Sequence, residues 1–130
     1  MRTIVIATLA LGLLARCSAE KPAGPATPAG ATAAPVATGD ADAGKKLIDQ
    51  YSCISCHKIP GFEGPQGSMG PSLEAFASRK AIAGGIPNEP KTVTAYLQNP
   101  QAVDPQNRMP PLGITEPEAR DITAYLLTLK

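Results

Sequence analysis

Residues Cys53-Ile54-Ser55-Cys56-His57 form a C-x-x-C-H sequence, and its reading governs the rest of the chain. Two thiols at this spacing, followed at once by an imidazole, suit four chemistries. The thiols can add across the two vinyl groups of a haem while the imidazole reaches the iron. They can act as a thioredoxin-like redox pair, which calls for a surrounding βαβ pattern that this sequence lacks. With His57 they supply three of the four ligands that a structural zinc needs. In an exported protein they can also close as a plain disulfide. Haem is favoured, because it brings a large apolar body to a chain with no Trp and only 4% aromatic residues.

Outward from the motif the patterns are helical. Asp40 or Asp42 can cap a first helix with apolar positions Leu47, Ile48, Tyr51 and Ile54, which sets the motif at its end. Asn88-Glu89-Pro90 reads as a second helix start, with Val93, Tyr96 and Leu97 facing inward and a stop before Pro100. Thr115-Glu116-Pro117-Glu118 is a capping box with Pro in the first turn. Ala119, Ile122, Leu126 and Leu129 then share one face of the last helix. A weaker helix covers Leu73 to Ser78, Pro60 to Pro71 is Gly- and Pro-rich loop, and no strand pattern is present. The fold class is therefore all-α, with three to four short helices between residues 40 and 130. So few helices make a marginal core unless something fills the middle.

The second axial ligand follows by elimination. His57 is the only His, so two imidazoles from one chain cannot bind one iron. Met69 lies 12 residues after His57, in the loop leading to Gly70-Pro71, and should stay on the same side of the ring. Met109 lies 52 residues downstream in Asn107-Arg108-Met109-Pro110-Pro111, a stiff segment able to cross the opposite face. The metal ligands expected are His57 and Met109, with Cys53 and Cys56 as the attachment points.

The N-terminal third reads differently. Ile4 to Leu14 is an apolar run of signal-peptide size, well short of the ~20 residues that span a bilayer. Leu14-Ala15-Arg16-Cys17 resembles a bacterial lipoprotein box, whose Cys takes lipid, although Arg16 stands where that family has Gly, Ala or Ser. A competing cut would follow Ala19. Residues 18–39 hold 8 Ala, 4 Pro, 3 Gly and 3 Thr, a composition that cannot bury enough surface to offset its ordering entropy. The organisation expected is a signal segment at 1–17, a tether at 18–39 and a folded domain at 40–130. The protein would be exported to the bacterial periplasm and held at a membrane by lipid on Cys17. With 12 basic and 11 acidic residues the chain has no basic footprint for nucleic acid.

Residues 40–130 resemble the class I cytochromes c, the small monohaem carriers. Gly44 and Ile48 are similar to the family's glycine and aromatic on the first helix, with Ile in place of the aromatic. Gly70-Pro71-Ser72-Leu73 is similar to a Gly-Pro-x-Leu sequence, which implies that the Pro71 carbonyl accepts from His57 Nδ1. The resemblance implies that Arg79 binds a haem propionate and that Tyr96 bonds to the methionine sulfur. Asn107, two residues before Met109, is also expected among the cofactor-binding residues. The resemblance sets Ala124-Tyr125-Leu126 on a closing helix that crosses the first near Gly44. The function implied is one-electron carriage on a covalently bound haem c, without enzymatic activity, because both axial positions are filled. Partners would be redox proteins of the cell envelope, such as a dehydrogenase, a respiratory complex or a terminal oxidase. They would dock on a small apolar rim to which Ile59, Phe62, Pro110 and Leu112 contribute. The alternative is a haem-based ligand-binding or peroxidase-like protein whose methionine lets go.

Overall fold

A computed structural model describes residues 38–130; the expected signal segment, Cys17 and the tether up to residue 37 lie outside the described residues. Helix α1 spans Ala41–Gln50. It starts where the Asp40 carboxylate accepts from the N–H groups of Asp42 (2.8 Å) and Ala43 (3.1 Å), donors that no helical carbonyl can satisfy. Gly44 and Ile48 form its buried face.

The C-x-x-C-H motif does not sit on α1 as the periodicity implied. Tyr51 ends the helix and Ser52 turns left-handed at φ 53°, after which Cys53–Ser55 form a single 3₁₀ turn. The apolar spacing through Ile54 overran this break because it carries no signal for backbone handedness. A second 3₁₀ turn at Phe76–Ser78 replaces the helix expected from Leu73, and Ala75 precedes it at φ 53°. Strands β1 (Ala81–Ile82) and β2 (Ile86–Pro87) then pair antiparallel, Ala81 opposite Pro87 and Ile82 opposite Ile86. Two residues are too few to show alternation, so this pair had no sequence pattern.

Helix α2 spans Pro90–Gln98, with Val93 and Leu97 buried. Pro90 fits its first turn, where the missing N–H removes nothing. Asn88 is not its cap; its amide donates to the carbonyls of Phe76 (2.7 Å) and Arg79 (3.1 Å), tying the loop below to the helix entrance. Pro100 ends α2 as expected, but it also opens a short helix, α3 (Pro100–Val103), which the Asn99 side chain caps by accepting from Ala102 N at 3.1 Å.

Helix α4 spans Glu116–Leu126 behind the expected capping box. It packs across both α1 and α2. At the α1 crossing the helices meet backbone to backbone, because a Cβ on Gly44 would overlap the Asp121 carbonyl. At the α2 crossing the Thr94 and Thr123 hydroxyls lie 3.2 Å apart. Thr123 already donates to Ala119 O at 2.7 Å, so Thr94 is the donor of the pair. Ala119, Ile122, Leu126 and Leu129 are all buried, as their spacing implies, and join Ile48, Val93, Leu97 and Ile114. Among the described residues no helix is long and apolar enough to cross a membrane.

Candidate functional site

The helices close around a cavity of about 890 Å³. Its size falls within the ~300–1,000 Å³ range of small-molecule and cofactor sites. Ile48, Val93, Leu97 and Leu126 give it an apolar floor from α1, α2 and α4. Cys53, Cys56 and His57 line it from the motif, and Tyr96 and Met109 from the segments that follow. Sequence positions far apart therefore reach one space.

The motif is held by the loop beyond it. Gly67 N donates to Ile54 O (2.8 Å), Gly70 N to Cys56 O (2.8 Å) and Leu73 N to Lys58 O (2.7 Å). His57 N donates to Cys53 O at 3.0 Å, which closes the turn. His57 Nδ1 lies 2.8 Å from Pro71 O, the pairing the sequence pointed to. A carbonyl can only accept, so Nδ1 carries the proton and Nε2 keeps its lone pair for a metal. Gly70 is fixed by this geometry, since a Cβ there would overlap the imidazole.

Gln66 was not anticipated. Its amide oxygen accepts from Ile59 N (2.5 Å) and its nitrogen donates to the carbonyls of Ile59 (3.2 Å) and Phe62 (2.9 Å). One side chain thus does for this loop what a strand partner would.

Cys53 and Cys56 are unpaired. Burial pushes the Cys53 thiol up to about 11, and the neighbouring Cys56 adds to this against a backbone hydrogen bond that lowers it. That is opposite to the lowered thiol of a redox-active pair. Among the described residues no three His, Cys, Asp or Glu side chains converge as a metal site would need.

On the segment after α3, both backbone groups of Met109 are tied by side chains. Asn107 Oδ1 accepts from Met109 N at 2.7 Å, and Gln101 Nε2 donates to Met109 O at 2.5 Å. Asn107 Nδ2 in turn donates to Tyr96 Oη at 2.6 Å. The Tyr96 hydroxyl, expected to bond to the methionine sulfur, accepts from Asn107, which leaves its own proton for a further acceptor. Burial raises the Tyr96 phenol above its ordinary value, with the Asn107 bond opposing and Asp104 reinforcing. Gln101 sits in a four-residue helix beyond a proline, where periodicity offers no handle.

Arg79 also lines the cavity. Its Nη2 donates to Ser72 O (2.5 Å) and Glu74 O (2.9 Å), and its guanidinium lies 5.8 Å from the Phe76 ring centre. Nε and Nη1 remain as donors for a carboxylate. Met69 is 85% exposed at the mouth. Two expected rim residues are not presented at the surface of the mouth, although Ile59 does line the cavity. Ile59 is 1% exposed, and Phe62 packs edge-on to Tyr125 with ring centres 5.9 Å apart, outside the cavity lining. Pro110 and Leu112 do line the mouth, with Pro110 exposed. Tyr125, read as packing, is buried and donates to Pro60 O at 2.8 Å.

The residues present fit a haem c. The cavity offers two unpaired thiols, an imidazole whose Nε2 is available, a thioether, and a guanidinium with spare donors, on an otherwise largely apolar lining.

Similarity to known proteins identifies the family. The family model described as cytochrome c matches residues 41–130. The chain is 31% identical over 91 residues to cytochrome c oxidase subunit 2 of Alkalihalophilus pseudofirmus, covering 69% of this chain and 26% of that protein. It is 33% identical over 104 residues to cytochrome c2 iso-2 of Magnetospirillum molischianum, covering 70% of this chain and 99% of that one. It thus spans about a quarter of the oxidase subunit and nearly all of the cytochrome c2. Among solved structures, cytochrome c2 from Rhodobacter sphaeroides superposes with a TM-score of 0.57 at 22% identity, over 70% of this chain and 96% of the other. The fold is that of class I cytochromes c, and the chain belongs to the cytochrome c family as a monohaem member with a covalently bound haem c.

Proposed function

We propose that this protein is a one-electron carrier of the bacterial cell envelope, with Cys53 and Cys56 in thioether links and His57 and Met109 as the axial ligands. Bound haem c supplies a one-electron ferric/ferrous couple. The observation that carries the reading is the preparation of both ligands on one cavity: His57 held by Pro71 O at 2.8 Å, and Met109 tied at its backbone N–H and carbonyl. A thioether ligand favours the ferrous state, and the apolar floor disfavours the additional charge of the ferric one. Arg79 would hold a propionate with its remaining donors, and the wall formed by Ile48, Val93 and Leu97 excludes water. With both axial positions taken by the chain, no substrate position is left at the iron, which supports carriage rather than catalysis. The ties on Met109 favour a fixed ligand over a ligand-binding or peroxidase-like protein.

Export to the periplasm would use the apolar run from Ile4 to Leu14, with a lipid at Cys17 as the anchor. The oxidase subunit relatives match 69% and 74% of this chain, which supports a terminal oxidase as the acceptor. Docking would use the mouth at Met69, Pro110 and Leu112, where Asp104 and Arg108 balance each other's charge. The test is reoxidation of the reduced full-length protein by membranes of its own source. Rapid reoxidation that an oxidase inhibitor blocks supports the reading, and a reduced protein left unoxidised by active membranes contradicts it.

A further inference from the structure

Resting on the Met109 ligation proposed above, the geometry points to Gln101 and Asn107 as positioning residues that clamp Met109 from both sides and set how readily its sulfur can be displaced. Neither touches the iron in this account. Each acts through the backbone of the ligand. Gln101 Nε2 holds the carbonyl at 2.5 Å and Asn107 Oδ1 holds the N–H at 2.7 Å. A residue gripped at both its amide and its carbonyl keeps its Cα and Cβ in place, so its sulfur can be drawn away only by rotation about the side-chain bonds, unless the segment first gives up one of these hydrogen bonds.

The clamp is anchored in the helices on either side. Gln101 belongs to α3, whose first turn is fixed by Pro100 and the Asn99 cap. Asn107 is held by its donation to Tyr96 Oη (2.6 Å) on α2, and its own N–H donates to Asp104 O at 3.0 Å. α2 and α3 therefore both anchor the ligand segment. The donor and acceptor roles are fixed as well. Asn107 Oδ1 faces an N–H, so its nitrogen must face the tyrosine, and Gln101 must present its nitrogen to a carbonyl. A side chain of the same shape without the amide would fill the space and lose the hold.

The experiment measures the affinity of the ferric, haem-loaded full chain for free imidazole, which competes with the methionine sulfur for the iron. Gln101→Met keeps the length and removes the donor; Asn107→Leu removes both bonds. Each is expected to bind imidazole about 3- to 10-fold more tightly than the wild type, the size of effect that one neutral hydrogen bond supplies. Asn107→Asp keeps the acceptor for Met109 N–H and loses only the donor to Tyr96, so it should stay nearer the wild type than Asn107→Leu. Far-UV circular dichroism and haem content show that each variant is folded, and a merely structural role would change these rather than imidazole affinity. Unchanged affinity in both Gln101→Met and Asn107→Leu overturns the clamp while leaving Met109 as ligand. A wild type that lacks the near-infrared charge-transfer band of methionine-ligated ferric haem overturns the ligation, and the clamp with it.

Discussion

Tyr51 Oη donates to Glu118 Oε2 at 3.0 Å, joining the end of α1 to the first turn of α4. The same carboxylate oxygen accepts from Thr115 N (2.9 Å) and Thr115 Oγ1 (2.5 Å), so a helix cap and an interhelix bond share one atom. These bonds, from the Thr115 hydroxyl first, hold the Glu118 carboxyl below its ordinary value, and the bond to Glu118 raises the Tyr51 phenol.

A pH dependence follows from those directions. A carboxyl lowered in the folded state contributes stability above its unfolded pKa, about 4.3, and loses it as pH falls through the lower folded value. A phenol raised in the folded state contributes below about 10 and loses that contribution as pH rises through its folded value. Glu118→Gln is therefore expected to flatten the acid limb of a stability profile and Tyr51→Phe the alkaline limb, with little change in shape near neutrality. Guanidinium denaturation of the haem-loaded protein across pH measures both. Limbs that keep their wild-type slopes would show that the shared oxygen does not matter.

Gly44 is the point where α1 and α4 touch backbone to backbone, with no space for a Cβ beside the Asp121 carbonyl. Gly44→Ala should destabilise the folded protein by about 1–3 kcal/mol, the usual cost of overpacking, despite alanine's better helix propensity. Denaturant midpoints compare the two proteins, and a stabilised alanine variant would contradict the close approach.

Gly70 meets the imidazole in the same way. Gly70→Ala is expected to push the ring or the Pro71 carbonyl aside and weaken the bond that orients His57. The measured consequence is a shifted reduction potential at unchanged haem content. Equal potentials in the two proteins would mean that the ring has more room than the structure gives it.

Cys53→Ala and Cys56→Ala each leave one thiol for attachment. Each variant should carry haem through a single link, mature in lower yield and unfold at lower denaturant. The alkaline pyridine haemochrome spectrum and intact mass read this directly, and a two-link spectrum from either variant would mean that the wrong thiols have been assigned.

Much of this molecule was legible in the sequence because several signals are local. The C-x-x-C-H spacing, the Gly70-Pro71 pair and the Thr115/Glu118 box each name their chemistry within five residues. The buried face Ala119, Ile122, Leu126 and Leu129 follows from the helical period alone. What escaped depends on partners distant in sequence or on backbone handedness. Tyr51 read as an apolar position, and nothing local shows that its hydroxyl finds Glu118, 67 residues on. Ser52 adopts a left-handed conformation that no residue preference announces, which moved the motif off α1. Gln66 and Gln101 are ordinary polar residues until the loops they hold are folded.

Completion of the iron's coordination by Met109 rather than Met69, opposite His57, is read from the near-infrared charge-transfer band of the ferric protein in three forms. The wild type and Met69→Ala should both show the band, since Met69 is 85% exposed at the cavity mouth. Met109→Ala should lose it and have a lower reduction potential. A band that survives in Met109→Ala, or disappears in Met69→Ala, would contradict the account.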